Sequence, residues 1–432
     1  MISTLKTRDL IALGFMTFAL FLGAGNIIFP PMVGQLSGNQ LWYSALGFLL
    51  TGVGLPLLTV VALARVGGGM SALTAPIGKG AGTLLGVLVY LTIGPFFATP
   101  RTATVSFEVG FVPFIGAGGW AQGVYTVAYF GAVMLIALFP GRIIDTVGKY
   151  ITPVLIVALI VLAGAAIFMP AGVIGEPTGL YVDAPLSQGF VQGYQTMDAL
   201  GALVFGIVII NAIVSRGILD ARLLTRYAIA AGIIAAIGLA LVYLALIWLG
   251  ASSGQLAPNS PTGAPILTAF VHHVFGPMGS VLLASVITLA CLTTAVGLVS
   301  ACGDYFSKLL PMSYRSVVIV VSLFSMAVAN QGLEQLIAVS VPVLSAIYPV
   351  AIALVALSLA SVVWRRPSRV FIPTLIVAAV FGIMDGATAA GFGQLVPQAV
   401  ADMPGASLGL GWLVPVLGTL LFSAAYDRFR GR

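Results

Sequence analysis

The segment most informative about the architecture reads FLGAGNIIFPP, residues 21–31, and lies within the first long apolar stretch of the chain, residues 9–34. Its two glycines, Gly23 and Gly25, each weaken a helix by about 1 kcal/mol relative to alanine. Asn26 is a polar side chain in a stretch that otherwise suits lipid. The segment is therefore either a close helix crossing with a polar end at the interface, or a discontinuous helix whose unwound backbone faces a ligand.

The composition around this segment is that of a membrane protein. Only 7% of the 432 residues are charged and 60% are hydrophobic, with a mean hydropathy of +1.13. A soluble domain carries about 25% charged residues because its surface faces water. Lipid must therefore solvate most of this surface, and the net charge of +6 does not indicate a nucleic-acid partner. No small-residue cleavage site follows the basic N-terminus, so we expect a first helix rather than a cleaved signal peptide.

Apolar runs of membrane-spanning length, about 20 residues, recur along the whole chain, and no soluble domain fits between them. The predicted spans are 9–34, 41–64, 80–108, 120–140, 147–169, 187–214, 224–250, 277–303, 314–330, 334–362, 370–391 and 407–426. The longest connection, 251–276, contains three prolines and then an apolar stretch that predicts a short surface helix. Cys291 and Cys302 fall on one predicted helix, about 16 Å apart, which is too far for a disulfide.

The positions of the basic residues test this count. With the N-terminus inside, 17 of the 18 Lys and Arg residues fall on the cytoplasmic side, and only Arg101 does not. One missed or added helix would invert every later loop, so the positive-inside pattern supports an even number of spans, about twelve, with both termini in the cytoplasm. The cytoplasmic set is Lys6, Arg8, Arg65, Lys79, Arg142, Lys149, Arg216, Arg222, Arg226, Lys308, Arg315, Arg365, Arg366, Arg369, Arg428, Arg430 and Arg432.

The sixth span is interrupted in a similar way to the first. Its purely apolar part, residues 199–214, covers about 24 Å, which is short of a core of about 30 Å. The span must then include residues 190–198, and so a carboxylate, Asp198, near the middle of the membrane. Such a group is costly and normally marks a pathway or a site. Alternatively the helix is tilted and Asp198 is only an N-terminal cap of its second half.

The two interrupted spans lie about 170 residues apart and each opens a set of five spans. Paired broken segments at matching positions indicate an inverted-repeat transporter, because an odd number of helices places the two repeats in opposite topologies. The predicted fold is an all-α integral membrane protein with a single transporter domain. Residues 1–170 form the first repeat, 171–363 the second, and 364–432 two additional helices.

Two further sets of polar residues lie within the apolar spans. Thr293 and Thr294 either donate back to helix carbonyls or offer oxygen ligands to a small hard cation. Arg101 and Glu108 share one face of the third span but lie about 10 Å apart in rise. Each is therefore expected to meet water or a partner on another segment. A gate role and a structural role are both open for this pair.

The segment 21–31 resembles that of the bacterial branched-chain amino acid:cation symporters, often called BrnQ proteins. The resemblance extends over nearly the whole length, and further matching stretches are Gly94–Thr104, Gly193–Asp198 and Ser340–Pro349. Members are more distantly similar to the amino acid–polyamine–organocation superfamily, which has the leucine-transporter fold. The resemblance implies two inverted five-helix repeats plus two helices, with substrate between broken helices 1 and 6.

The resemblance also implies a substrate site. The substrate carboxylate would meet backbone amides of the first break, assisted by the positive end of the following half-helix, and the ammonium would face the sixth segment. The implied residues are Gly23, Ala24, Gly25 and Asn26 in the first break, and Tyr194, Gln195, Thr196 and Met197 in the second, with Asp198 beside them. Phe97, Met197 and Phe205 are candidates for the apolar pocket of the side chain.

A sodium site is implied by the same resemblance. The superfamily pairs helix-1 carbonyls with helix-8 hydroxyls, and its pattern matches Ala290, Leu292, Thr293 and Thr294 residue by residue. The carbonyls on helix 1 would be those of Ala19 and Leu22, with a register uncertain by one or two residues. Lithium or a proton could replace sodium. Asp198 leaves this open, because burial and a nearby cation shift the pKa of a carboxylate in opposite directions.

The expected function is sodium-coupled import of leucine, isoleucine or valine across the bacterial inner membrane. A membrane enzyme is disfavoured because His272 and His273 are the only histidines, both fall in a connection, and no metal-ligand spacing occurs. A passive channel or a transporter-like sensor is the remaining alternative class. We expect no cofactor other than the coupling ion, no nucleic acid and no obligatory protein partner.

Overall fold

The computed structural model of the chain describes residues 5–116, 118–139, 142–258 and 260–429. Within these ranges the regular structure is helical throughout, with short 3₁₀ or π turns between the α-helices. The helices of the first half are α1 (Thr7–Phe21), α2 (Gly25–Ser37), α3 (Leu41–Leu49), α4 (Leu55–Val66), α5 (Met70–Leu73), α6 (Lys79–Leu91), α7 (Ala98–Gly110), α8 (Val112–Ile115), α9 (Gly119–Leu138) and α10 (Arg142–Phe168).

The second half begins after the connection that follows α10. Its helices are α11 (Pro185–Gln192), α12 (Asp198–Val214), α13 (Ala221–Ser253), α14 (Gly263–Leu309), α15 (Tyr314–Ala329), α16 (Leu333–Leu359), α17 (Pro367–Ala389), α18 (Gln398–Ala401) and α19 (Leu413–Phe429). Each predicted span overlaps one helix or one pair of consecutive helices. The largest boundary difference is at the eighth span, because α14 begins at Gly263, well before the predicted start at 277.

The all-helical membrane class is confirmed, whereas the number of spans stays a prediction. Seven described helices are long and apolar enough to cross a membrane, and the bent pair Pro185–Thr196 with Asp198–Val214 makes an eighth. By contrast, α1, α15 and α19 are only 15, 16 and 17 residues long. Of the cytoplasmic basic residues, Arg430 and Arg432 lie outside the described residues.

Glycines hold α2 in place by allowing backbone to meet backbone. A Cβ at Gly250 of α13 would clash with the Pro31 carbonyl, and one at Gly263 would clash with the Ile28 carbonyl. A Cβ at Gly34 would in turn overlap the Ile247 carbonyl of α13. Small residues permit this close approach of membrane helices. As a result α2 lies directly against α13 and the start of α14. This packing holds α2 in position beside the first break.

The second broken helix is anchored in the same way. A Cβ at Gly189 of α11 would clash with the Ser44 carbonyl of α3, and one at Gly47 of α3 would clash with the Leu186 carbonyl. A Cβ at Gly193 would overlap the Thr51 hydroxyl, and that hydroxyl donates to the Phe190 carbonyl at 2.7 Å. The half-helix before the second break is therefore packed tightly on α3.

The predicted connection 251–276 contains helix over residues 263–275, which continues into the rest of α14 through a kink at Gly276 (φ +65°) followed by Pro277. Glycine permits this left-handed backbone, and proline cannot donate to the preceding turn. The expected short helix thus exists as the first part of α14, and its place at the membrane surface stays a prediction. Cys291 and Cys302 both lie on α14 as free, buried thiols, as their spacing predicts.

Candidate functional site

The first break separates α1 from α2 at Leu22, Gly23 and Ala24. The Gly23 N–H donates to the Asn26 side-chain oxygen at 2.9 Å, so the asparagine holds the unwound backbone that precedes its own helix. Further along α2, Pro30 and Pro31 have no N–H, and the carbonyls four residues earlier therefore lack their helical partners. The discontinuous-helix interpretation of this segment is confirmed for the backbone.

The second break separates α11 from α12 by a 3₁₀ turn, Gly193–Thr196, and then Met197. Met197 has φ +61° and is the one non-glycine residue of the described chain in the left-handed region. Such a backbone costs about 1–2 kcal/mol for an ordinary side chain and persists only where the surroundings enforce it. The two half-helices meet at 43°. A broken sixth span, rather than a merely tilted helix, is therefore correct.

The two breaks contact each other. A Cβ at Gly25 would lie 3.2 Å from the Gln195 carbonyl oxygen and 3.2 Å from the Thr196 Cα. The Asn26 amide nitrogen donates to Asp198 Oδ2 at 2.7 Å. The asparagine that accepts from the first break thus also donates to the carboxylate at the second break.

A third helix joins this contact. Tyr243 of α13 donates its hydroxyl to Asp198 Oδ2 at 2.6 Å, and the Asn26 amide also contacts that hydroxyl. Asp198 is 5% exposed and Tyr243 is fully buried. The alternative in which Asp198 only caps α12 is wrong, because its carboxylate accepts from two side chains and Met197 occupies the cap position without a side-chain bond. Asn26, Asp198 and Tyr243 form a buried polar cluster between three helices.

Arg101 of α7 approaches the same region and is 2% exposed. Its Nη1 donates to the Gln195 carbonyl at 2.6 Å and its Nη2 to the Ser340 hydroxyl of α16 at 2.7 Å. The guanidinium carbon lies 5.1 Å from the centre of the Phe29 ring, within the range of a cation–π contact. Arg101 therefore meets partners on other segments, as expected from its distance to Glu108.

A small cavity of about 50 Å³ lies between the two breaks. Its apolar wall includes Phe21 and Phe205, and its polar wall includes Asn26, Asp198 and Arg101. Pockets for small ligands usually measure about 300 Å³ or more, so this space is too small for an amino acid in the present conformation. The remaining lining residues are Leu20, Gly23, Ala24, Gly25, Ile93, Ala98, Thr102, Thr196, Met197, Gly201, Thr294 and Leu298.

Two groups of the expected substrate site already have hydrogen-bond partners in the structure. The Gly23 amide is occupied by Asn26, so it does not offer a free donor to a carboxylate. The Gln195 carbonyl accepts from Arg101, and a cation beside that oxygen opposes the approach of a substrate ammonium. The Tyr194 side chain does not line the central cavity and is stacked on Tyr348, with ring centres 4.3 Å apart.

The proposed sodium ligands are partly brought together. The methyl group of Thr294 would lie 3.5 Å from a Cβ at Gly23, so this threonine adjoins the first break. Thr293 and Thr294 both donate to the Ala290 carbonyl, at 2.8 and 3.0 Å, and their oxygens keep lone pairs for a further interaction. Ala19 lies near the end of α1 and Leu22 is the residue that follows this helix. A sodium role for the two carbonyls stays a prediction.

Phe97 lies outside the central cavity, in contrast to the expectation. It lines a separate apolar groove of about 460 Å³ with Phe96, Leu336 and Val343. The π turn at Thr92–Phe96 and the non-helical Gly94 rotate this part of the third span. Apolar character alone could not indicate which of the two cavities Phe97 faces.

Glu108 lies nearer the C-terminal end of α7 than Arg101 and faces a different cavity. It is half-buried and lines a space of about 390 Å³ with Thr104, Phe107 and Thr268. No ion pair links Glu108 to Arg101 among the described side chains. The helix α7 therefore runs from the central cavity, at Arg101, to this second cavity, at Glu108.

Two site residues were missed by the sequence reasoning. Tyr243 is a single hydroxyl-bearing aromatic in the apolar run 242–247, and that isolation was a usable signal. Ser340 is the first residue of the stretch Ser340–Pro349, which contributes to the family resemblance but has no role predicted from it. It accepts from Arg101 and donates to the Ile337 carbonyl at 3.1 Å.

Comparison with known proteins gives a consistent result. Residues 6–430 match the family model described as branched-chain amino acid transport protein. The branched-chain amino acid transport system 2 carrier protein of Pseudomonas aeruginosa is 62% identical over 428 residues, covering 99% of this chain and 98% of the relative. The branched-chain amino acid permease BrnQ of Escherichia coli is 53% identical over 428 residues, covering 99% and 98%.

Solved structures share the fold at low sequence identity. The crystal structure of MhsT in complex with L-phenylalanine has a TM-score of 0.60 at 17% identity, covering 95% of this chain and 97% of that one. The inward-facing conformation of Mhp1 has a TM-score of 0.62 at 15% identity, covering 98% and 90%. At these identities the likeness establishes the architecture alone.

Proposed function

The chain belongs to the family of branched-chain amino acid transport proteins, and from that premise we propose that it is a sodium-coupled importer of leucine, isoleucine and valine. The family and the relatives are transporters, so the chain is a multi-pass membrane transporter and not an enzyme. The proposal includes twelve spans in the bacterial inner membrane, both termini in the cytoplasm, and inverted repeats over residues 1–170 and 171–363.

One observation carries the proposal. Two broken helices meet at a buried cluster in which Asn26 and Tyr243 hold Asp198. Unwound backbone and a carboxylate at this depth are tolerated where they face a ligand or a cavity. The small volume of the cavity is consistent with alternating access, in which one bundle moves against the other and opens the site to each side in turn. Its apolar wall, including Phe205, suits a branched side chain.

Sodium coupling rests on Thr294 and the first break. The Thr294 side chain lies beside Gly23 and lines the central cavity, so it adjoins the end of helix 1, whose carbonyls are the other ligands in this proposal. Sodium is a hard cation and prefers such oxygens. Proton coupling is the second candidate, since Asp198 is a titratable group at the same site.

Labelled-leucine uptake into proteoliposomes under imposed sodium, lithium or proton gradients tests the function. We expect concentrative uptake driven by inward sodium and competed by isoleucine and valine. Uptake driven by the proton gradient alone would assign the coupling to the proton. Equilibration without concentration under every gradient would instead indicate a channel, and binding without flux a sensor.

The variant Thr294→Ala tests the cation site. We expect the sodium concentration for half-maximal uptake to rise about tenfold, because one oxygen ligand is worth roughly 1.4 kcal/mol in this estimate. Ser285→Ala is the matched control, since the Ser285 hydroxyl also donates to a carbonyl of α14, that of Val281 at 2.9 Å, but is exposed. Equal sodium dependence of both variants and the unaltered protein would remove Thr294 from the site.

A further inference from the structure

Arg101 is a buried cation that forms no ion pair with a carboxylate in the described ranges. It is 2% exposed, and its recorded side-chain hydrogen bonds are to a carbonyl and a hydroxyl. No carboxylate forms an ion pair with it in the described part of the chain. Burying an ionised group without a counter-charge is costly, so a structural role alone gives an incomplete account of an arginine at this position.

The hydrogen-bonding capacity of Arg101 is also incompletely used. A guanidinium has five N–H donors in a planar fork, and the two recorded bonds come from Nη1 and Nη2. The buried Nε has no acceptor in the described part of the chain. Arginine binds carboxylates with paired N–H groups of this kind. The free donor indicates that an acceptor is missing from this side of the guanidinium.

Arg101 is also held firmly in place. The Gln195 carbonyl, the Ser340 hydroxyl and the Phe29 ring surround the guanidinium from three different segments. Preorganisation of this kind lowers the entropic cost of binding a ligand. The side chain lines the same cavity as Asp198, so one small space carries a cation on α7 and a carboxyl group on α12.

We propose that Arg101 is the residue that binds the α-carboxylate of the amino acid substrate, with Asp198 facing its ammonium group. The inference rests on the proposed amino acid transport. In this arrangement the substrate carboxylate binds Arg101 and not the Gly23 amide, which already donates to Asn26. The substrate ammonium likewise faces Asp198 and not the Gln195 carbonyl, which accepts from Arg101. A zwitterion supplies both missing charges at once.

The test compares ligands with and without the carboxylate. Leucine, leucinamide and 3-methylbutylamine share the branched side chain and the amine, whereas only leucine carries the anion. Binding to the detergent-purified full chain is measured by titration calorimetry in sodium-containing, mildly acidic buffer, where the amines are protonated. We expect leucine to bind about 10- to 100-fold more tightly than either amine, because this is the gain in affinity that one hydrogen bond between charged groups provides.

The variant Arg101→Gln separates this role from a structural one. Leucine affinity should fall to that of leucinamide, while leucinamide affinity stays within about threefold, because leucinamide lacks the group that Arg101 binds. Arg101→Lys should keep part of the preference and is measured as well in case Arg101→Gln does not fold. Arg65→Gln is the matched control, since Arg65 also donates to a carbonyl, that of Leu359 at 3.0 Å, but is exposed.

Several outcomes would overturn the inference. One is equal affinity of the unaltered protein for leucine and leucinamide. Another is a parallel loss of both affinities in Arg101→Gln and Arg101→Lys, which is the result of a purely structural role. If leucine binds and is transported in either case, the proposed function stands without this contact. If the unaltered protein binds none of leucine, isoleucine and valine, the proposed function fails together with the inference.

Discussion

The two helix breaks perform the same structural task with different means. The first break is stabilised from within its own segment, where Asn26 accepts from the Gly23 N–H three residues earlier. The second break is held from outside, by Arg101 on the Gln195 carbonyl and by Tyr243 on Asp198. Its backbone also includes the strained Met197. A local break can be built from a short motif, whereas a remotely supported break depends on the assembled fold.

Asp198→Asn would test the junction of the two breaks and has the largest expected effect. The carboxylate that accepts from Asn26 and Tyr243 is replaced by a neutral amide, so the charge facing a substrate ammonium is lost. We expect leucine uptake to fall about 100-fold or more, at unchanged protein abundance in the membrane. Proteoliposome uptake per milligram of protein measures this.

Asp385→Asn is the control for that variant. Asp385 is another buried carboxylate of a predicted span, and it accepts from the Trp412 N–H at 3.4 Å but does not line the central cavity. Uptake should stay within about threefold of the unaltered protein. Normal uptake by Asp198→Asn would show that the carboxylate is dispensable and that the breaks do not depend on it.

Gly25→Ala and Gly23→Ala form a matched pair within the first break. A Cβ at Gly25 would lie 3.2 Å from backbone atoms of Gln195 and Thr196, whereas one at Gly23 would be in ordinary contact at 3.5 Å. We expect Gly25→Ala to reduce uptake about tenfold by separating the two breaks, and Gly23→Ala to change it by less than about twofold. Equal effects of the two alanines would contradict the close contact between the breaks.

Tyr243→Phe addresses the remote support of the second break and has the smallest expected effect. Removing the hydroxyl deletes one donor to Asp198, while Asn26 remains. A net loss of about 1 kcal/mol predicts a leucine affinity about fivefold weaker. Tyr181→Phe removes another buried hydroxyl, one with no hydrogen-bond partner among the described residues, and should leave affinity unchanged. The comparison fails if both variants bind leucine alike.

The same contrast explains what the sequence could predict. The first break was readable because its glycines, its asparagine and its prolines lie within eleven residues. The second was detected through a span too short for the membrane without Asp198. Its support was not readable, because Tyr243 and Asp198 are 45 residues apart and Arg101 and Ser340 are 239 residues apart. Chain separations of this size carry no local signal.

Apolar positions were the other limit of prediction. Phe97 and Phe205 are equally suited to a substrate pocket by residue type, yet only Phe205 lines the central cavity. The difference arises at the π turn before Phe97, where Gly94 leaves helical geometry. Hydropathy predicts that such residues are buried or face lipid, and packing decides which cavity they reach.

The size of the central cavity has a pharmacological consequence. With about 50 Å³ between the breaks, a ligand gains its full set of contacts only while the surrounding helices are apart, and it is carried only if they can close again around it. We therefore expect analogues of leucine with a larger side chain to bind the open protein and to block it. For such compounds, tight binding and poor transport go together.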